Sequence, residues 1–172
     1  MINKGIKRSA VGSSIVALLV GVVLASAAWA GGKNKIVHRV NVGGPDACEA
    51  FGADGPGCDA NFSLHAFLFE DGTARGQWTD QFGHGNGGFH AVIDCVAVNG
   101  HEAWVSGMIT HSTTDQPGYG VGDPVLTRVA DNGRSKQDPP DQISYSWATA
   151  ISCHQMPQVV LLDMPDGQVT VK

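Results

Sequence analysis

The sequence predicts an all-β chain: an antiparallel barrel or sandwich of about eight to nine strands joined mainly by hairpins. Three observations predict it. After Gly31 no stretch keeps apolar residues at the 3.6-residue helical period over three turns. β-Branched and aromatic runs are separated throughout by Gly and Pro. The two longest runs fold back at Asp-Gly and Asn-Gly pairs, which readily adopt the positive φ of a tight turn.

Taken in order, the first strand is expected at Ile36 to Val42. Asn61 to Glu70 runs into Asp71-Gly72 and returns as Ala74 to Phe82. Gly88 to Val98 meets Asn99-Gly100 and returns as His101 to Thr110. Along that return Ala103, Val105, Gly107 and Ile109 alternate with Trp104, Ser106, Met108 and Thr110, so one face is small and apolar, as a curved sheet over a core requires. Pro124 to Ala130 and Gln142 to Ala150 read as two strands joined by the polar loop Asp131 to Asp141. A third hairpin is expected from Gln158 to Asp163 and Gln168 to Val171, turning at Asp166-Gly167. The long loops are Gly43 to Asp59, Ser112 to Asp123 and Asp131 to Asp141, and loops on a rigid scaffold are the usual place for binding.

Residues 1–30 read as a signal peptide. Lys4, Lys7 and Arg8 precede the apolar stretch Ile15 to Leu24, and Ala28 and Ala30 form the A-x-A pattern that places cleavage before Gly31. The apolar stretch is about half the roughly twenty residues needed to cross a hydrocarbon core, so no membrane span is expected after cleavage. Residues 31–172 are then a single secreted or periplasmic β-domain. The leader carries three basic residues and no acidic one, so eight basic residues face sixteen acidic ones in the remainder, a formal charge of −8. Such a surface repels phosphate backbones, which argues against nucleic acid as a partner.

Export carries Cys48, Cys58, Cys95 and Cys153 into an oxidising compartment where thiols pair. Cys48 and Cys58 close a short Gly-rich loop, whereas Cys95 lies in a strand and Cys153 at a strand end. The predicted pairs are therefore 48 with 58 and 95 with 153. Neither pair has the spacing that brings two thiolates to one zinc ion.

The remaining chemistry is sparse. Of seven histidines, His84, His90, His101 and His111 are close in sequence, and pairing about Asn99-Gly100 puts His90 and His111 near the far end of one hairpin. Imidazoles gathered there could take zinc or copper, although no two are spaced to project from one face of a single strand. Ser106 lies inside a strand, not on a nucleophile elbow. Glu70 and Glu102 adjoin turns, where solvated charge is expected rather than paired acid–base work. Trp78, Trp104, Tyr145 and Trp147 fall in strands, with Tyr145 and Trp147 sharing a face, and read as core or barrel-wall packing. The expectation is a noncatalytic binding or structural module, with an unidentified ligand or protein partner and no cofactor. The alternative is a small secreted hydrolase or a metal-binding protein using the histidine-rich hairpin.

Asp131, Asn132 and Gly133 have the chemistry of a tight turn, since Asx side chains accept from backbone amides one or two residues on and glycine supplies positive φ. Asp141 can tie the far end of the loop in the same way. Calcium ligation by Asp131, Asn132 and Asp141 is the sharper alternative, but three ligands are too few alone. The segments GFHAVIDCVAVNGHEAWVSGMIT and VGDPVLTRVADNGRSKQDPPDQIS resemble small secreted bacterial β-domains of unknown function, including post-COAP-type modules. The likeness spans roughly Phe62 to Trp147 and rests on Val129, Asp131, Asn132, Gly133, Asp141 and the hairpin around Asn99 and Gly100, a V-x-DNG-loop-D element. Arg134 stands where an acidic residue would follow DNG, a departure from the pattern that counts against an acidic cation site there, and the resemblance implies architecture and export with no activity attached.

Overall fold

Alternation gives each strand one face to bury, and the computed structural model, which describes residues 34–45, 60–135, 137–164 and 166–172, brings those faces together. Ten strands run through these residues: β1 Ile36–Pro45, β2 Asn61–Phe69, β3 Ala74–Gln81, β4 Gly88–Asn99, β5 Glu102–Ser112, β6 Pro124–Ala130, β7 Gln142–Ile143, β8 Trp147–Ala148, β9 Leu162–Asp163 and β10 Gln168–Val171. They form one antiparallel sheet in the order β10-β1-β2-β3-β4-β5-β6-β7-β9, with β8 also on β6, curled into a half-barrel. The all-β antiparallel expectation holds. The leader, its cleavage point and the pair Cys48 and Cys58 lie outside the described residues.

Inside the curl, Val40, Phe62, Leu64, Trp78, Ile93, Val105, Val125, Ile143 and Val169 belong to one apolar cluster that runs from the first strand to the last. Tight curvature needs bare backbone where strands lean together. A Cβ on Gly107 would sit 2.2 Å from the Val92 carbonyl oxygen, so the small face read from the sequence is a steric requirement. Outside the curl a second cluster covers β4 to β6: Ala97, Trp104 and Leu126 pack beneath Cys153, Met156 and Val159. Trp104 Nε1 donates to the Pro157 carbonyl at 2.9 Å, and Arg128 lies 5.2 Å over the indole. Arg128 also pairs with Glu102 at 2.8 Å and donates to the Val159 carbonyl at 3.0 Å. Glu102, expected to be merely solvated, thus helps anchor the outer layer.

The Asp71-Gly72 hairpin forms as expected, with Phe69 N–H on the Thr73 carbonyl. Hydrogen bonds from Asn34, and then from Thr73, hold the Asp71 carboxyl at about 2, down from its ordinary 3.8. Its contribution to the turn is therefore complete above the ordinary value and is lost as pH falls through about 2. In the second hairpin Asn99 pairs with Glu102, so the turn centres one residue later than expected, on Gly100-His101, where Gly100 supplies a φ of 62°.

Two expectations fail. Gln142 to Ala150 is not one strand: Tyr145 adopts φ 57° and separates β7 from β8. There Ser144 Oγ accepts the Arg128 N–H at 2.8 Å, replacing a ladder bond with a side-chain one. Tyr145 consequently turns into the core while Trp147 stays 44% exposed, so the two do not share a face. Nor do Gln158 to Asp163 and Gln168 to Val171 form a hairpin. β9 pairs with β7 and β10 with β1, and the chain between them crosses from one end of the sheet to the other. A Cβ on Gly44 would lie 2.5 Å from Gly167 Cα, so Gly167 sits at a close backbone crossing over β1 rather than in a hairpin turn.

That crossing leaves β10 with one free edge. Lys172 and Arg39 exchange both backbone hydrogen bonds, so by antiparallel alternation the N–H groups of Val169 and Val171 point away from β1. Two carboxylates from the β6–β7 connection take them. Asp141 Oδ2 accepts from Val169 N–H at 2.6 Å and its Oδ1 from Asn132 N–H at 2.8 Å. Asp131 Oδ2 accepts from Val171 N–H at 2.9 Å and its Oδ1 from Gly133 N–H at 3.3 Å. Each aspartate thus grips its own loop and the last strand together. Charge-assisted hydrogen bonds of this kind are worth about 1.5 to 3 kcal/mol each, and Val169 is fully buried, so its N–H has no water to turn to. Replacing Asp141 by Ala is expected to cost about 3 to 5 kcal/mol in denaturant unfolding, and Asp131→Ala less, since its carboxylate is partly exposed.

Candidate functional site

Regular alternation would scatter the polar chemistry of the β4–β5 hairpin, and two β-bulges prevent this. Ile93 pairs with Gly107 but Cys95 with Ser106, so Asp94 is an extra residue on β4. The bulge turns Cys95 from the inner to the outer face, where it forms a disulfide with Cys153, Cα atoms 6.0 Å apart. Closing a loop of 58 residues stabilises the fold by about 4 kcal/mol on chain entropy. At the other end His90 pairs with His111 but Ala91 with Ile109, so Thr110 is extra on β5. That second bulge turns His111 outward beside His90, with ring centroids 5.8 Å apart and planes tilted by 36°.

Sequence spacing pointed to this end of the hairpin, though not to the neighbours that complete it. Thr79 is directly across from His90 on β3, and its Oγ1 lies 2.9 Å from His90 Nδ1. The two histidines, Thr79, Gln81 and Thr113 line a surface depression of about 170 Å³. No local signal could reveal the set, because its members come from three strands and the residue after β5, and the outward turn of His111 depends on a bulge. His101 sits on the hairpin turn at the far end, apart from the pair.

Behind this surface the sheet interior is aromatic. Phe62, Trp78 and Phe89 follow one another at 5.2 and 5.3 Å between centroids, and Phe82 and Tyr119 pack on Phe89 at 5.9 and 5.7 Å. Asp80, two residues from Trp78 on the same inner face, is 2% exposed. Burial raises the Tyr119 phenol above its ordinary 10.0, and the Asp80 charge raises it further. The proton it would lose is the one it donates to the Ser146 carbonyl at 2.9 Å.

The other sequence candidates do different work. The oxygens of Asp131 and Asp141 face the positive ends of four N–H dipoles, an arrangement that satisfies the carboxylates and opposes a calcium ion. Asn132 Nδ2 donates to the Pro140 carbonyl at 2.7 Å, so the loop ends are tied to each other. Cys95, Cys153 and His154 bring potential ligand atoms within 4.8 Å, but two are disulfide sulfurs, and the ligand form of cysteine is the thiolate. Ser106 Oγ donates to Asp94 Oδ1 at 3.5 Å, and among the described residues no imidazole hydrogen-bonds it. For nucleophilic catalysis the Thr79–His90 contact supplies a hydroxyl and an imidazole, yet among the described residues no carboxylate hydrogen-bonds His90 to orient it as a base.

The chain matches no protein-family model, no curated protein and no solved structure.

Because its neutral form is favoured in the fold, Tyr119 adds stability that is complete below pH 10 and lost as pH rises through its raised value. Ultraviolet titration is expected to show a phenol transition above pH 10 that Tyr119→Phe removes; a Tyr119 transition at or below 10 would contradict the burial argument.

Proposed function

We propose that this chain is a noncatalytic binding module of an exported protein, in keeping with its resemblance to small secreted bacterial β-domains, and that it binds through the outer face at the His90–His111 end of the sheet. The observation that carries this reading is the pair of outward imidazoles fixed on neighbouring strands beside a polar depression. At about 170 Å³ the depression is smaller than the 300 Å³ or more of sites that enclose drug-sized organic molecules. It suits an ion or a small polar group instead. The basic–apolar–small pattern of residues 1–30 and the Cys95–Cys153 disulfide support export to a secreted or periplasmic location. Among the described residues no helix is long and apolar enough to cross a membrane.

The hydrolase alternative rests on the Thr79–His90 contact and is separable from binding. Expressed with residues 1–30 in a bacterium with two membranes, the chain is expected outside the cytoplasm, beginning at Gly31. The purified material is expected to hydrolyse p-nitrophenyl acetate, phosphate and glycosides no faster than buffer does. Turnover abolished by Thr79→Val would overturn the noncatalytic reading, and recovery from the cytoplasm with Met1 retained would overturn export.

A further inference from the structure

We propose that His90 and His111 form a site for a divalent transition-metal ion, copper(II) foremost. The proposal rests on the reading of this face as the binding surface and names its ligand. A metal–imidazole bond is about 2.0 Å, which puts each ring centroid roughly 3.2 Å from the ion. Two rings sharing one ion therefore have centroids about 4.5 Å apart at a right angle and about 6.4 Å apart when opposed. The observed 5.8 Å falls inside that interval, so the two rings already stand at a separation that one shared ion requires. Paired strands hold the two backbones, and little ordering cost remains for binding.

The surroundings select the class of ion. Thr79, Gln81 and Thr113 line the depression with neutral polar groups, and Asp80, the acidic residue among the described lining, is buried. Calcium and magnesium require several oxygen ligands, whereas imidazole suits copper, nickel and zinc, of which copper(II) binds tightest to a given nitrogen site. Thr79 acts behind the ligand. When the hydroxyl accepts an Nδ1–H from His90 at the 2.9 Å contact, the lone pair lies on Nε2. Water completes the coordination, since the depression is open to solvent.

Isothermal titration of the untagged, full exported chain with copper(II), in a buffer that does not coordinate metal, tests the assignment. One equivalent is expected to bind, with an electron paramagnetic resonance spectrum showing coupling to imidazole nitrogen. His90→Asn and His111→Asn should each weaken binding at least about ten-fold, Thr79→Val should weaken it while retaining the stoichiometry, and His101→Asn should leave it unchanged. The His pair is exposed, and near-ultraviolet circular dichroism of the buried tryptophans checks that each variant is folded. Equal affinity in wild type and the folded His90→Asn, His111→Asn double variant would overturn the metal site. That result leaves the binding-module reading standing, because that reading fails on turnover or on cytoplasmic recovery instead.

Discussion

A curled antiparallel sheet has two edges, and unpaired N–H groups at an edge must find acceptors or stay wet. In this chain the problem falls on β10, the last strand in sequence, whose outward N–H groups belong to the buried Val169 and to Val171. Asp141 and Asp131 solve it with carboxylates in place of a further strand. Because the same carboxylates hold Asn132 and Gly133, the long β6–β7 connection is fastened by the bonds that fasten β10. The inner apolar cluster, which includes Val169 and Met164 together with Val129 and Ile143, depends on that closure.

With the curl fixed, the β4–β5 hairpin supplies the chemistry. Both its bulges act alike, each adding a residue that turns a side chain outward: Cys95 to the disulfide, His111 to His90. One outcome is structural, locking the segment around Cys153 over Trp104, and the other leaves a pair of donors facing solvent. A bulge near a functional group is a common way to re-aim it without changing the rest of a strand.

What was legible in the sequence follows the range of the forces involved. Local alternation and turn chemistry were enough for the hairpins of β2 with β3 and β4 with β5, and for the small inner face of β5. Cys95 and Cys153 were pairable because few arrangements were open. The break at Tyr145 was hidden, since it arises from Ser144 answering a backbone N–H on β6. Asp166-Gly167 misled for a related reason: the same dipeptide serves a hairpin or a close crossing, and only the partner strands decide. Asp131 and Asp141 were singled out as loop ties, but their reach to Val171 and Val169 needs the curl of the whole sheet. The histidine pair was half visible, its place on the hairpin being local and its common face being set by Thr110.

Amide hydrogen exchange on β10 tests the carboxylate closure most directly. Thr170, whose N–H faces β1 by strand alternation, is an internal control within the same strand. The account predicts that Val169 and Val171 exchange as slowly as Thr170. Exchange of both valines at the rate of an unstructured chain, with Thr170 still protected, would show an open edge and contradict it.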